Sequence, residues 1–336
     1  MTSSIRLGGF KVLKGIAGFS LILSENSGLT PALFFNTLAK KNFNLPYITC
    51  IHFNGVWGIN IMVDAIHGLR VSLLIEENIG NTFRHYPESV ILSIFPHKNN
   101  PDIIGRLLNI FGHNNIRLET LGNSPSAISV VLDEKNLSRA SEALFEPFSF
   151  SAYRTPADWK LAQKGKEDIY KEVIASYQEQ KPKVYALECH DGQELLQVSI
   201  NDKNTSSVGE LFIEFARSGL DLTFSATGPS QQEEILDFCL PSSEGHSHAE
   251  VIKRLAPDAY MDSNPLTAVF SMNGPHFGDR YGIASELLAA FEENNIDLLC
   301  LSCTIASISG VVHSSQLEAT ISTIEKCFEV PAVIKK

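Results

Sequence analysis

Two stretches of sequence decide the predicted fold: Asn115-Ile116-Arg117-Leu118-Glu119-Thr120-Leu121 and Asn295-Ile296-Asp297-Leu298-Leu299-Cys300-Leu301. Each follows an apolar, helix-like pattern that ends Phe-x-x-x-Asn-Ile, and each precedes a second short strand pattern. The offset is constant, because 296 − 116 and 291 − 111 both give 180. A helix-to-strand junction that recurs at a fixed distance indicates an internal duplication.

Composition places the chain among ordinary globular proteins. The 336 residues are 44% hydrophobic and 19% charged, with a net charge of −11. No basic cluster could follow a phosphate backbone, which disfavours nucleic acid as a partner. No apolar run is long enough for a signal sequence or a membrane span. The six cysteines lie mostly in apolar, strand-like runs, as buried thiols of a cytoplasmic protein do. We therefore expect a cytoplasmic protein without a metal or cofactor.

The first stretch lies inside a βαββαβ pattern. The expected elements are a strand at 89–95, a helix after Pro101, strands at 115–121 and 126–132, a helix from Asp133 and a short strand at 148–153. The second stretch predicts the same order, with a helix from Ile283 and a last helix capped by Ser315.

Weaker copies of the pattern precede each stretch. Before the first, Thr30-Pro31 predicts a helix start and Asn54-Gly55 predicts a hairpin turn. Residues 68–79 fit a strand or a helix, and the related segment 248–256 favours a helix. Before the second, Ser207 and Glu210 form a capping-box pattern. Each copy is expected to open with two separate strands. They lie at 5–14 and 18–24 in the first copy, and at 183–189 and 195–200 in the second.

These patterns predict an α+β protein of four ferredoxin-like βαββαβ units in two duplicated halves. We expect antiparallel sheets with helices on one face. The expected units are 1–86, 87–155, 183–264 and 265–336, with a charged helical linker at 156–182.

The unit Val90–Tyr153 resembles an ACT domain of the kind found in the regulatory half of aspartokinases. In the fourth unit, Asp279-Arg280-Tyr281-Gly282-Ile283 is similar to that family's Asp-x-Pro-Gly-Val loop, with tyrosine in place of proline. The first unit has Asn26-Ser27-Gly28-Leu29 at this place, the second lacks the glycine, and the third matches only by position. The tandem arrangement also resembles the CASTOR family of arginine sensors, which carry four ACT domains.

The resemblance implies that an amino acid binds at interfaces between paired units. A glycine before a helix lets backbone N–H groups approach a carboxylate, and a side-chain amide can accept from an ammonium group. We expect the first unit to pair with the third and the second with the fourth; a pairing of the first with the fourth stays open. The expected ligand-binding residues are Asp279, Arg280, Tyr281, Gly282, Ile283, Asn115, Ile116, Asn295, Ile296, Asn26, Ser27, Gly28 and Leu29. His97 and His276 are weaker candidates.

The sequence also bears on catalysis and partners. Arg6-Leu7-Gly8-Gly9-Phe10 is similar to the start of an aspartokinase catalytic domain, but a regulatory unit follows at once. With no nucleophile or phosphate-loop motif in the chain, we expect no enzyme activity. The expected function is that of an amino-acid sensor, with a homodimer as a possible state. The alternative is a regulatory subunit that docks on an amino-acid biosynthetic enzyme, and an unrecognised enzyme is a third possibility.

Overall fold

The computed structural model describes residues 4–25, 28–80, 82–163, 181–242, 248–274, 277, 281–304 and 307–336. The first half contains β1 (Ile5–Leu7), β2 (Gly9–Ser24), α1 (Pro31–Lys40), β3 (Tyr47–Phe53), β4 (Val56–Asp64), α2 (Gly68–Ile79), β5 (Phe83–Phe95), α3 (Pro101–His113), β6 (Thr120–Asn123), β7 (Ile128–Asp133), α4 (Leu137–Ala143), β8 (Phe148–Phe150) and α5 (Pro156–Gln163). The second half contains β9 (Ala186–Ile200), α6 (Thr205–Arg217), β10 (Phe224–Pro229), β11 (Glu234–Pro241), α7 (His248–Leu255), β12 (Met261–Asn273), α8 (Ile283–Glu293), β13 (Leu298–Thr304), β14 (Ser307–His313), α9 (Leu317–Cys327) and β15 (Val333–Lys335). Of the predicted linker helix, residues 164–180 lie outside the described residues.

Local sequence signals explain several of these boundaries. The Thr30 hydroxyl accepts a hydrogen bond from the Leu33 N–H (3.3 Å) at the start of α1, as predicted. Asn54 and Gly55 have φ angles of 50° and 73°, as a two-residue hairpin turn requires. The predicted capping box is wrong, because α6 begins at Thr205 rather than after Ser207.

A left-handed residue ends the first helix of every unit. Asn42, Asn115, Gly219 and Asn295 have φ angles of 57°, 50°, 73° and 53°. In the second unit the Ile116 N–H bonds to the Phe111 carbonyl (2.9 Å), which gives the pattern of a Schellman C-cap. The residues after the cap continue as a loop. The predicted strand at 115–121 therefore begins only at Thr120, and the one after Asn295 begins at Leu298.

Two long strands in each half belong to two units at once. Residues 16–24 of β2 pair with β4 of the first unit, whereas Ser89–Ile94 of β5 pair with β7 of the second. β2 and β5 also pair with each other along most of their length. In the second half, β9 and β12 share two units in the same way. The two opening strands expected in each half are thus one continuous strand, β2 or β9.

The units associate across the two halves. β3 pairs with β13 and joins unit 1 to unit 4, while β6 meets β10 and joins unit 2 to unit 3. The helices α1 and α8, and α3 and α6, pack across the same boundaries. Gly105 and Gly209 permit the second contact, since a Cβ at Gly209 would lie 2.7 Å from the Gly105 carbonyl oxygen. The expected pairing of first with third and second with fourth units is wrong.

The resulting sheet closes on itself. Its order is β11-β10-β6-β7-β5-β2-β4-β3-β13-β14-β12-β9, and β9 pairs back with β11. The α+β class, the antiparallel ladders and the helices on one face are as predicted. The other face of each half of the sheet looks inward onto the opposite half. No helix among the described residues is long and apolar enough to cross a membrane.

A buried polar network lies where the two inward faces meet. Asn60 of unit 1 donates from Nδ2 to the Thr120 hydroxyl of unit 2 (3.2 Å) and to the Thr227 carbonyl of unit 3 (3.1 Å). The Thr49 hydroxyl also donates to the Thr227 carbonyl (2.7 Å). Ser302 of unit 4 donates to the Asn123 carbonyl (3.0 Å). Because buried polar groups are costly when unpaired, these bonds fix how the two faces align.

Glycines let the two faces approach closely. A Cβ at Gly58 would lie 2.1 Å from the Pro229 carbonyl oxygen, and one at Gly228 would lie 2.5 Å from Ile51 Cγ1. The Pro229 carbonyl oxygen that a Cβ at Gly58 would meet belongs to the backbone, and it cannot rotate away as a side chain can.

Gly58→Ala is therefore expected to destabilise the fold by about 3 kcal/mol or more, as overpacking of a well-packed interior does. Urea unfolding followed by circular dichroism measures the change. Gly9→Ala is the matched control, because a Cβ there meets its nearest neighbour at an ordinary 3.6 Å. Equal midpoints for both variants would contradict the proposed contact.

A carboxyl group is buried in the same interior. Asp237 accepts hydrogen bonds from Gln197 Nε2 (3.0 Å) and Cys300 Sγ (2.8 Å) and has no exposed surface. Burial raises the pKa of Asp237 to about 7, although both hydrogen bonds lower it in part. The folded protein therefore binds a proton here that the unfolded chain releases near pH 4.

Because the folded-state pKa is raised, the free energy of unfolding should fall as pH rises from about 4 to about 7, and stay level above that. The loss from this group is on the order of 4 kcal/mol. Asp237→Asn keeps the shape of the side chain and one acceptor oxygen without the charge, so it should remove this part of the pH dependence and be more stable than wild type at pH 8. Urea unfolding at pH 5 and pH 8 tests this. Parallel pH profiles for the two proteins would refute it.

Candidate functional site

The described end of the predicted fourth-unit loop, Tyr281 to Ile283, lies against the first unit. Asp279 and Arg280 lie outside the described residues. Gly282 has a φ angle of 84° and caps the N-terminus of α8, and Ile283 is buried. A Cβ at Gly282 would contact Ala39 of α1 at 3.4 Å. Gly282 therefore faces unit 1.

The cavity beside this loop is small. Its volume is about 40 Å³, and its lining includes Phe35, Phe43, Asn44, Leu45 and Tyr281. Since one water needs at least about 10–15 Å³, this cavity holds a few waters. It is well below the 300–1,000 Å³ that is usual for ligand sites.

The two Asn-Ile pairs lie at helix ends rather than in this cavity. Asn115 and Asn295 are exposed left-handed residues that follow the C-caps of α3 and α8, while Ile116 and Ile296 are buried against the core. Arg139 Nη2 donates to the Asn115 carbonyl (3.1 Å) in unit 2. Because unit 2 pairs with unit 3, Asn115 and Ile116 are not brought to the fourth-unit loop as expected.

The first-unit loop is described only in part. Asn26 and Ser27 lie outside the described residues. Gly28 is exposed with a φ angle of 72°, and Leu29 packs at the edge of the core.

The second-unit loop is closed by its own residues. His97 is fully buried, and its Nε2 lies 2.6 Å from the Ser124 carbonyl. Its Nδ1 accepts from the Asn99 N–H (3.1 Å), so the imidazole is neutral with the proton on Nε2. The Asn99 carbonyl in turn accepts from the Leu222 N–H of unit 3 (2.7 Å). The second-unit loop is thus bonded directly to the backbone of unit 3.

A large cleft opens at the third-unit loop, the loop with the least support from the sequence. This cleft has a volume of about 610 Å³ and lies where unit 3 meets units 1 and 2. We call it the charged cleft. Its lining residues are Ser20, Leu21, Ile22, Thr82, Phe83, Arg84, Arg117, Leu118, Glu119, Ile200, Asn201, Asp202, Thr205, Thr227, Pro229, Ser230, Gln231, Gln232, Glu233 and Glu234.

Charges of both signs line the cleft. Arg84 of unit 1 forms an ion pair with Glu234 of unit 3. Arg117 and Glu119 of unit 2 face each other, with Nε and Oε1 3.8 Å apart. The side chain of Arg117 is 55% exposed, so its guanidinium group is open to a ligand. Asp202 and Glu233 add further carboxylates at the surface of the cleft.

The floor of the cleft holds a polar atom that lacks a partner. Glu234 Oε2 is buried and forms no hydrogen bond to any residue that the structure describes, whereas the carboxyl group of Glu119 interacts with the hydroxyl of Tyr86, which is not itself part of the lining. Burial raises the pKa of Glu119, and the guanidinium groups of Arg117 and Arg84 lower it in part. Burial likewise raises the pKa of Tyr86. Unpaired buried groups cost free energy, so this floor favours a molecule that donates hydrogen bonds.

The first helix of unit 3 ends at the cleft. Thr205, the first residue of α6, lines it, and α6 begins without a side-chain N-cap. The Thr205 N–H already donates to the Asn201 carbonyl (3.0 Å), so it is the dipole of α6, rather than this amide group, that favours an anion here. Sequence reasoning missed this site because the loop at 201–205 has no glycine. Arg117 and Glu119, which lie within the repeated stretch, were the available signal.

Comparisons with known proteins found no matching family model and no matching curated protein. Solved structures do match. The crystal structure of aspartate kinase from Synechocystis matches with a TM-score of 0.77 at 15% identity, over 96% of this chain and 56% of that one. The chain therefore spans about half the length of that enzyme.

Two further matches cover less of the chain. The regulatory subunit of aspartate kinase from Thermus thermophilus, in its ligand-free form, matches 43% of this chain and 98% of its own, with 14% identity and a TM-score of 0.37. The E. coli aspartokinase III matches 44% of this chain and 34% of its own, with 17% identity and a TM-score of 0.35. Scores this low add nothing to the assignment of the fold.

The match to the Synechocystis protein overturns one expectation. We expected no enzyme activity from the sequence, but the structure that covers nearly the whole chain is that of a catalytic enzyme. At 15% identity the match bears on the fold alone, which is an aspartokinase-like ACT fold.

Proposed function

We propose that the protein is a regulatory protein that binds a free amino acid in the charged cleft. The observation that carries the proposal is the presence of both charge signs in a cleft of about 610 Å³ at a boundary between units. A free amino acid carries a carboxylate and an ammonium group, so it needs partners of both signs.

Each end of such a ligand has a partner in the cleft. The exposed guanidinium of Arg117 can bind a carboxylate with two parallel hydrogen bonds, and the N-terminus of α6 lies nearby to favour the same charge. The carboxylates of Glu233 and Asp202 can accept from an ammonium group. The volume of the cleft falls in the usual range for small-molecule sites.

The position of the cleft supports a regulatory role. Units 1, 2 and 3 all contribute to its lining, so a ligand that contacts several of them would stabilise one arrangement of the units over others. The fourth-unit loop remains the second candidate site, because Gly282 holds a left-handed conformation at the start of α8. Binding there would require its small cavity to widen.

Thermal melts with each of the twenty amino acids at millimolar concentration test the proposal. An amino acid at about a hundred times its Kd stabilises the fold by about 2.7 kcal/mol. In a chain of this size that raises Tm by roughly 5–10 °C. If no amino acid changes Tm, the chain is better explained as a regulatory subunit that docks on an enzyme.

Arg117→Ala should weaken binding of the active amino acid by roughly 10- to 100-fold, because it removes a charge-assisted hydrogen bond worth about 1.5–3 kcal/mol. Isothermal titration calorimetry measures the change. Arg217→Ala is the matched control, since this arginine is similarly exposed but lies at the far end of α6. Gly282→Asp tests the fourth-unit loop, the second candidate site, because it replaces the left-handed glycine there. Loss of binding in Gly282→Asp with none in Arg117→Ala would move the ligand to the fourth-unit loop.

A further inference from the structure

The outer side of α2 in unit 1 carries an apolar surface. Ile66, in the short 3-10 turn before α2, is 76% exposed, and Leu69 and Leu73 are 74% and 52% exposed. Residues spaced three, four and seven apart share one side of a helix. We call the surface formed by these three side chains the α2 stripe.

The internal repeat shows that these positions are polar when they face water. The same 3-10 turn precedes the second helix of units 2 and 4, so the three helices can be aligned residue by residue. The positions that correspond to the α2 stripe are all exposed and polar in these two units. They are Lys135, Ser138 and Glu142 in unit 2, and Ser315, Glu318 and Ser322 in unit 4. Three apolar residues at positions that are polar in units 2 and 4 therefore indicate that this face of unit 1 has another role.

In units 2 and 4 this face contacts a segment that follows the helix in the chain. Lys160 of α5 forms an ion pair with Glu142 (2.7 Å), and Lys335 of β15 forms one with Glu318. Unit 1 continues through β5 directly into unit 2. Within the described part of the chain, nothing covers the α2 stripe, because each of its side chains is more than half exposed.

Charges beside the stripe point to a second copy of this chain as the partner. Arg70 and Glu77 flank the stripe on one side, seven residues apart. When two α2 helices pack antiparallel about a two-fold axis near Leu73, Arg70 of each copy faces Glu77 of the other. Arg70 lies over the Phe43 ring, 5.3 Å from its centroid. We propose that two copies of the protein associate through antiparallel α2 stripes.

The association should be weak and reversible. A stable interface buries about 800 Å² on each partner, which is more than three aliphatic side chains supply. A net charge of −11 on each copy also opposes association at low salt. We expect a Kd of roughly 1–100 μM at physiological ionic strength.

Sedimentation velocity of the full chain over a range of concentrations tests the proposal. Wild type should show a monomer–dimer equilibrium, and Leu69→Lys should raise its Kd at least about tenfold. Ser138→Lys is the matched control, because it makes the same change at the corresponding position of unit 2, and it should leave the Kd unchanged. Unaltered thermal melts would show that each variant folds.

A charge exchange tests the antiparallel geometry. Arg70→Glu and Glu77→Arg should each weaken the dimer, whereas the two changes in one chain should restore the Kd to within about threefold of wild type. Two results would overturn the proposal. One is a wild-type chain that stays monomeric at about 100 μM, the weak end of the expected range of Kd. The other is a double variant whose dimer is no tighter than those of the single variants. If the wild-type chain stays monomeric, the α2 stripe is better explained as a binding surface for a different protein.

Discussion

The contact between the two inward faces of the closed sheet is the constraint on which the molecule depends. Hydrogen bonds from Asn60 reach units 2 and 3, and Gly58 lets the backbone of unit 3 approach within contact distance. Polar side chains in this interior accept few alternative alignments, because a shift of one strand position would leave several of them unpaired. The interface therefore sets the relative position of all four units, including the cleft at their junction.

Much of the fold could be predicted from the sequence, since the decisive signals are local. Thr30-Pro31 and Asn54-Gly55 mark a helix start and a hairpin by their own backbone preferences, and the structure places both as expected. The repeat also identified α2 correctly, although residues 68–79 were ambiguous alone. The unit pairing was not predictable, because all units share one pattern and the choice depends on contacts such as Gly105 against Gly209.

The candidate site was harder to predict for a different reason. Asparagine before an apolar residue suits a ligand contact or a left-handed helix cap, and the sequence alone does not separate the two. In the structure Asn115 and Asn295 are caps. Among the four equivalent loops, the fullest glycine motif borders the smaller cavity, while the third-unit loop, one of two without glycine, borders the larger one. Cavity size depends on how paired units meet, and that information is spread over residues far apart in the chain.

The strands that two units share have a consequence for how this architecture can change. β5 continues across residue 86, and β12 continues across residue 264, so the expected boundaries at these positions fall inside strands. A single unit cut from the chain would lose half of a strand on which its neighbour also depends. The two units within one half are thus joined by strands that they share. Recombination or engineering that moves one ACT-like unit at a time would break the sheet, whereas exchange of a whole half would leave its shared strands intact.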